Sequence, residues 1–122
     1  MFAMDDTRPI FLQIAERIED DIINGNLPEE TQIPSANQFA ALYRINPATA
    51  AKGVSLLAEE GILYKKRGIG MFVRSGARER LKEKRKEKFY GQYVAPAIRE
   101  ARKLGITADE LAAMIRREAE DE

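Results

Sequence analysis

Residues 33–73, IPSANQFAALYRINPATAAKGVSLLAEEGILYKKRGIGMFV, set two capped helix starts and a glycine-tipped hairpin one behind the other, an order that few folds accommodate. Ser35 and Gln38 stand three apart, as in a capping box, where the hydroxyl accepts a backbone N–H and the amide reaches back to the cap. A second helix is expected there, with Phe39 and Leu42 as its buried side. Asn46 followed by Pro47 repeats the signal, an Asn cap and then a proline at the first helical position. A third helix is therefore expected over residues 47 to about 60. Its Ala50, Val54 and Leu57 recur at spacings of four and three and point inward, and Gly61 stops it. Only residues 44–46 are left for the turn, which forces an angled helix pair. Residues 62–66 and 71–74 read as strands joined by Arg67, Gly68, Ile69 and Gly70, whose glycines permit positive φ. Two short angled helices and a hairpin make the layout of a winged helix-turn-helix, the hairpin being the wing.

On the N-terminal side, Pro9 opens a first helix in which Ile10, Ile14, Ile18 and Ile22 recur every four residues beside Phe11 and Ala15. That spacing makes one apolar face. Asn24, Gly25 and Asn26 end the helix, and Leu27 and Pro28 start a loop. Beyond Gly76 the pattern turns charged and helical, ARERLKEKRKEKF, and then apolar, with Phe89, Tyr90, Tyr93, Val94, Ala97, Ile98 and Ala101 in a stripe. Pro96 removes a backbone donor and is expected to kink or reset this helix. Thr107 and Glu110 form another capping box, opening a last helix whose Leu111, Met114 and Ile115 share a face. The expected fold class is α+β, mainly helical: an N-terminal winged helix-turn-helix over residues 1–75 and a short C-terminal helical region over residues 76–122.

At 122 residues the chain suits one small core plus an appendage. Its 20 basic and 20 acidic side chains cancel to a net charge of +0, but they are segregated. From Lys65, Lys66 and Arg67 through Arg74, Arg78, Arg80, Lys82, Lys84, Arg85, Lys86 and Lys88, the only acids are Glu79, Glu83 and Glu87. Acids gather toward the ends instead, at Asp5 and Asp6 and again at Glu118, Glu120, Asp121 and Glu122. Such segregation makes a local positive field that the total conceals. The absence of cysteine excludes disulfides and thiol chemistry, and the absence of histidine removes the usual general base and the commonest metal ligand. No enzyme, cofactor or metal site is expected. No apolar run reaches the roughly 18 residues of a membrane span, and the start is acidic rather than a signal peptide. A cytoplasmic protein with no membrane partner is the simplest expectation.

In a helix-turn-helix, the second helix of the pair brings its N-terminal residues to base edges in the major groove, which makes double-stranded DNA the expected partner. Asn46, Ala48, Thr49 and Lys52 are the outward positions at that end. Asn46 also caps the helix, and Ala48 offers only an apolar contact, for example to a thymine methyl. The wing cations Lys65, Lys66 and Arg67, beside Gly68 and Gly70, can approach the sugar-phosphate backbone or the minor groove closely and gain from counterion release. Ser35 reads as a helix cap rather than a nucleophile, since no histidine is there to activate it. Tyr43, Tyr64 and Phe72 read as packing. The basic run from Arg78 to Lys88 has two readings, a solvated helix face with charges at i and i+4, or added phosphate contacts and a connector.

Taken together, these residues resemble the GntR family of bacterial transcription regulators, most strongly its small YtrA-type subfamily. PIFLQIAERIEDDIINGNL resembles the family's first helix and its end, IPSANQFA the consensus beginning Leu-Pro-Ser, INPATAAKGVSLLAEEGIL the recognition helix, and KKRGIGMFV the wing. The likeness adds Ser35 and Asn37 to the candidate DNA contacts. Many members carry arginine where this chain has Asn37, Pro47 and Ala51, so those operator contacts do not transfer. Thr49, Lys52 and the wing cations then carry more of the binding, with Asn37 as a shorter-reaching substitute.

Larger members of the family append an effector-binding domain, whereas the about 45 residues after the wing are too few for an independent ligand-binding core. The resemblance implies a dimerisation region instead, built from Phe89, Tyr90, Tyr93, Val94, Ile98, Leu111, Met114 and Ile115. A twofold homodimer predicts an inverted-repeat operator. It further implies a repressor, of an operon that includes a transporter; a small-molecule effector stays open, with neither ligand nor pocket named. The alternative is a winged-helix protein-interaction module without DNA binding, which the missing arginines and zero net charge support.

Overall fold

The computed structural model describes residues 7–121, so the acidic start at Asp5 and Asp6 and the terminal Glu122 lie outside the described residues. Helix α1 (Ile10–Ile23) turns Ile14, Ala15, Ile18 and Ile22 inward, as their spacing predicts. Pro9 stands just outside it as the cap, its carbonyl accepting from the backbone N–H groups of Leu12 and Gln13. Helix α2 (Ala36–Tyr43) begins at the expected capping box. Gln38 N donates to Ser35 Oγ at 3.1 Å, and Ser35 N donates to Gln38 Oε1 at 2.7 Å. Helix α3 (Pro47–Glu59) starts where Ala48 N donates to Asn46 Oδ1 at 2.8 Å. Strands β1 (Leu63–Lys66) and β2 (Gly70–Val73) pair antiparallel, with Leu63 opposite Val73 and Lys66 opposite Gly70. After them come α4 (Ala77–Phe89), a π-helical turn (Tyr90–Val94), α5 (Ala95–Lys103) and α6 (Ala108–Glu120).

These elements fall into two compact units, one reaching Glu83 and the other starting at Lys84. In the first, α1 and α2 pack on α3, and α3 packs on β1. Ile14, Ile18, Ile22, Leu57, Ile62 and Leu63 are essentially sealed from solvent, and Ala77 and Leu81 bring the first turns of α4 into the same core. Each such large aliphatic side chain contributes about 1.5–3 kcal/mol relative to exposure. Gly53 lets α3 approach α1 closely, since a Cβ there would lie 2.7 Å from the Phe11 carbonyl oxygen.

Two expectations need correction. Leu42 is 69% exposed rather than buried. The inward stripe of α2 is Ala36, Phe39, Ala40 and Tyr43, and at 100° per residue Leu42 points roughly 110° away from the centre of that stripe. Residues 31–33, expected to be loop, run alongside β2, entered through Glu30, whose backbone is left-handed at φ 63. Glu30 N donates to Val73 O at 2.7 Å, Val73 N to Thr31 O at 3.0 Å and Ile33 N to Met71 O at 2.9 Å, so the hairpin gains a third, short edge.

In the second unit Pro96 resets the helix without ending it. The break in the α-helical ladder appears as the π-helical turn just before α5, which spaces the backbone so that the missing proline N–H is absorbed. Ile106 N donates to Ala101 O at 2.9 Å as the chain leaves α5. Thr107 and Glu110 then form the expected capping box of α6.

Candidate nucleic-acid interface

The turn between α2 and α3 is made by Arg44, which adopts a left-handed conformation at φ 55 and ψ 51. Its backbone N–H and that of Ile45 both donate to Ala40 O, which turns the chain between α2 and α3 within three residues. Asn46 and Ala48 are exposed at the start of α3, and Thr49 is half-buried, its N–H donating to Asn46 O at 3.0 Å. Lys52 is exposed as well, but its ammonium lies 4.0 Å from the centre of the Phe11 ring on α1. To meet a phosphate or a base it gives up a cation–π contact of about 0.5–1 kcal/mol.

The wing divides its cations. Lys66 folds back over the Phe72 ring, 4.1 Å from its centre, whereas Lys65 and Arg67 are exposed. A cleft of about 570 Å³ separates the wing from α3, lined by Ser35 and Ala36 at the start of α2, by Ala51, Val54, Ser55, Ala58 and Glu59 on α3, and by Lys65, Ile69, Gly70 and Met71 on the hairpin, with Gln32 and Ile33 below. Ser35, Lys65 and Gly70 are thus brought to one place. Asn37, Asn46, Ala48, Thr49 and Lys52 lie outside the lining. Ala51 has no side chain long enough to cross the cleft.

An anchor not foreseen from sequence fixes the base of the wing. The Glu30 carboxylate accepts from the Tyr64 hydroxyl on β1 through Oε1, and from Ser75 N and Oγ beyond β2 through Oε2, both at 3.0 Å. The Arg74 guanidinium sits 5.2 Å from the centre of the Tyr64 ring. Hydrogen bonds from Tyr64 and then Ser75 hold the Glu30 carboxyl below the usual carboxylate range, and the same bond to Glu30 raises the Tyr64 phenol. These partners lie 34 and 45 residues apart in sequence, beyond any local signal.

All eight expected dimerisation residues lie in the second unit. Phe89, Tyr90, Tyr93, Met114 and Ile115 are exposed there, and Val94, Ile98 and Leu111 are half-buried. The Phe89 and Tyr93 rings touch at 5.7 Å between centres. Among the described residues, no group of three or more acids, histidines or cysteines could hold a metal, and no helix is long and apolar enough to cross a membrane.

An angled helix pair whose second helix is presented outward beside a basic hairpin defines a winged helix-turn-helix of the DNA-binding class. Residues 11–73 match the bacterial regulatory proteins of the gntR family, and the chain belongs to that family. Among relatives in Bacillus subtilis, the transcriptional repressor NagR is 37% identical over 65 residues, which cover 53% of this chain and 27% of NagR. The repressor YtrA is 29% identical over 75 residues, covering 62% of this chain and 58% of YtrA. The chain therefore spans about a quarter of NagR's length and less than two thirds of YtrA's. A crystal structure of a GntR-family protein from Bacteroides thetaiotaomicron superposes with a TM-score of 0.73 at 38% identity, covering 92% of this chain and 97% of that one. The DNA-binding domain of AraR, solved in complex with operator ORR3, superposes with a TM-score of 0.53 at 26% identity over 60% of this chain and 88% of its own. The family is one of bacterial regulatory proteins, and NagR and YtrA within it are transcriptional repressors.

Proposed function

We propose that two copies of the chain pair through residues 76–122 and repress an operon by occupying an inverted-repeat operator, each winged helix-turn-helix of residues 1–75 taking one half-site. The start of α3, with Asn46, Ala48, Thr49 and Lys52, enters the major groove. Ser35, Asn37 and the hairpin with Lys65, Lys66, Arg67, Gly68 and Gly70 hold the flanking backbone and minor groove. The observation that carries this reading is the exposed start of α3 on the same unit as the exposed Lys65 and Arg67, with Ser35 and Lys65 sharing one cleft. The AraR domain bound to its operator supports it by likeness. A transporter gene within the operon is what the resemblance to YtrA-type regulators implies, and a cytoplasmic location is the reading that the cysteine-free composition without a long apolar run supports.

Selection of duplexes from a random library by the full chain, followed by gel shifts across a salt series, tests the proposal. A twofold-symmetric duplex should be enriched and bound by two protomers, with affinity falling steeply as salt rises, since each neutralised phosphate steepens the salt dependence. Changing Thr49 or Lys52 should relax base preference, and changing Lys65 and Arg67 together should weaken every duplex alike. Enrichment of no duplex, or binding indifferent to salt, overturns the proposal.

A further inference from the structure

We infer that Ile69, at the tip of the wing, is a specificity-determining residue that reads the minor groove by shape and restricts the base pair beneath it to A·T. The inference rests on the DNA-binding reading above and adds a side chain to which neither charge nor capping called attention. Ile69 is 63% exposed and stands apart from the hydrophobic core, although one side of it borders the cleft. A single exposed aliphatic residue is ordinary on a protein surface. The backbone that presents this one is unusual.

The tip is held from both sides. Ile69 N donates to Lys66 O at 2.9 Å, closing the turn, and the Gln32 side-chain amide donates to Ile69 O at 2.9 Å from the strand-like edge beneath. Gly70, at φ +148, leaves the space for that clamp, because a Cβ there would sit 2.5 Å from Gln32 Nε2. Gly68, at φ +79, has no heavy atom within 4 Å of its would-be Cβ, so nothing shields the other flank of the tip. A β-branched side chain, stiff at χ1, is therefore projected from a fixed backbone. Lys65 and Arg67, exposed on the same hairpin, bring that tip to a phosphate-lined groove.

Minor-groove chemistry then sets the preference. Every base pair presents acceptors on the groove floor, and G·C adds the guanine 2-amino group, a protruding donor. An isoleucine cannot accept from that donor, so over guanine it strips a polar group of water without replacing the bond and meets it sterically. Over A·T no donor is stranded. Aliphatic side chains are the type that minor-groove proteins press between base steps.

The test uses the full chain and the duplex it selects from a random library, with each base pair replaced in turn by G·C and by inosine·cytosine. Inosine·cytosine keeps the major-groove face of G·C but lacks the 2-amino group. At one position in each half-site, G·C should weaken binding about tenfold while inosine·cytosine binds within about twofold of A·T. Ile69→Ala should cut the G·C penalty to less than about threefold, and Ile69→Asn, which supplies a carbonyl acceptor, should abolish it. Thermal unfolding of both variants should match the parent, since the side chain is exposed. A tightly bound duplex with no position that distinguishes G·C from inosine·cytosine, or an unchanged penalty in Ile69→Ala, overturns the inference and leaves DNA binding standing. Failure to select any duplex overturns the DNA-binding reading itself.

Discussion

Helices α2 and α6 begin with equally complete capping boxes, yet α2 lies in a unit with a sealed core and α6 in one almost without a core. Ser35 with Gln38 and Thr107 with Glu110 make the same pair of hydrogen bonds. Up to Glu83, though, three helices and a hairpin close around Ile14, Ile18, Leu57 and Leu63, whereas from Lys84 onward Ala101 is the one buried residue among those described. The second unit keeps Phe89, Tyr90, Tyr93 and Ile115 exposed. Caps decide where a helix starts, and packing decides whether it is stable. The contrast teaches that the first unit is complete within one chain, while the second carries apolar surface that water does not favour. That surface is the reason for reading it as the pairing region.

The contrast can be broken most directly by truncating one apolar side chain in each unit. Leu57→Ala should lower unfolding free energy by about 2–5 kcal/mol, because it removes a fully buried side chain and leaves a cavity. Ile115→Ala, at an exposed position, should change the stability of the isolated protomer by less than about 0.5 kcal/mol. Denaturant unfolding at a concentration low enough to dissociate any dimer measures both. Equal losses would remove the distinction between a closed and an open unit.

Association should respond in the opposite order. Replacing Tyr90 and Tyr93 by serine removes two exposed aromatic rings and should weaken self-association about 10- to 100-fold, since aromatic anchors dominate interface energetics. Sedimentation over a concentration series reads the shift, with Leu42→Ser as a control on the first unit's own exposed leucine. A monomer at all concentrations in the parent chain, or equal weakening by the control, would end the assignment of pairing to the second unit.

What was legible in the sequence follows the range of the forces involved. The capping boxes, the proline after Asn46 and the four-residue isoleucine spacing act within one or two turns, and each marks a real helix start or inner face. Leu42 lies off the inner face: two apolar residues three apart, Phe39 and Leu42, are too few to fix the direction of a face. Residues 31–33 gave no strand signal, because their order comes from backbone bonds to β2, some 40 residues away. Of the candidate DNA contacts, the cap and hairpin positions were legible as local chemistry. The engagement of Lys52 with Phe11 and of Lys66 with Phe72 was not, since the first joins residues far apart and the second runs across strands.

Arg44 was equally silent, because only the structure shows that its position demands a left-handed backbone. That conformation costs a residue with a side chain about 1–2 kcal/mol, and glycine avoids the cost while losing about 0.5–1 kcal/mol of chain entropy. Arg44→Gly should thus raise the stability of the first unit by up to about 1 kcal/mol. The second unit's self-association should stay as it was. Destabilisation instead would mean that the arginine side chain secures the turn.

The smallest expected effect separates the units by pH. The lowered Glu30 carboxyl stabilises the first unit above the ordinary carboxylate value of 4.5, and that contribution is lost as pH falls through the lowered value in the folded chain. The raised Tyr64 phenol acts with the opposite sign: its contribution is full below the ordinary value of 10.0 and is lost as pH rises through the higher folded value. The clip across the base of the wing is therefore intact between these limits and weakens beyond both. Glu30 is exposed and Tyr64 only half-buried, so solvent screens the pair and the effect is modest. Other acids titrate in the same range, and comparison with Glu30→Gln isolates this one. Near neutral pH the variant should melt below the parent, and the gap should close as the solution is acidified below 4.5, where the parent's carboxylate also gains its proton. A gap that persists unchanged into acid would mean that Glu30 clips the base of the wing through its shape and hydrogen bonds and not through its charge.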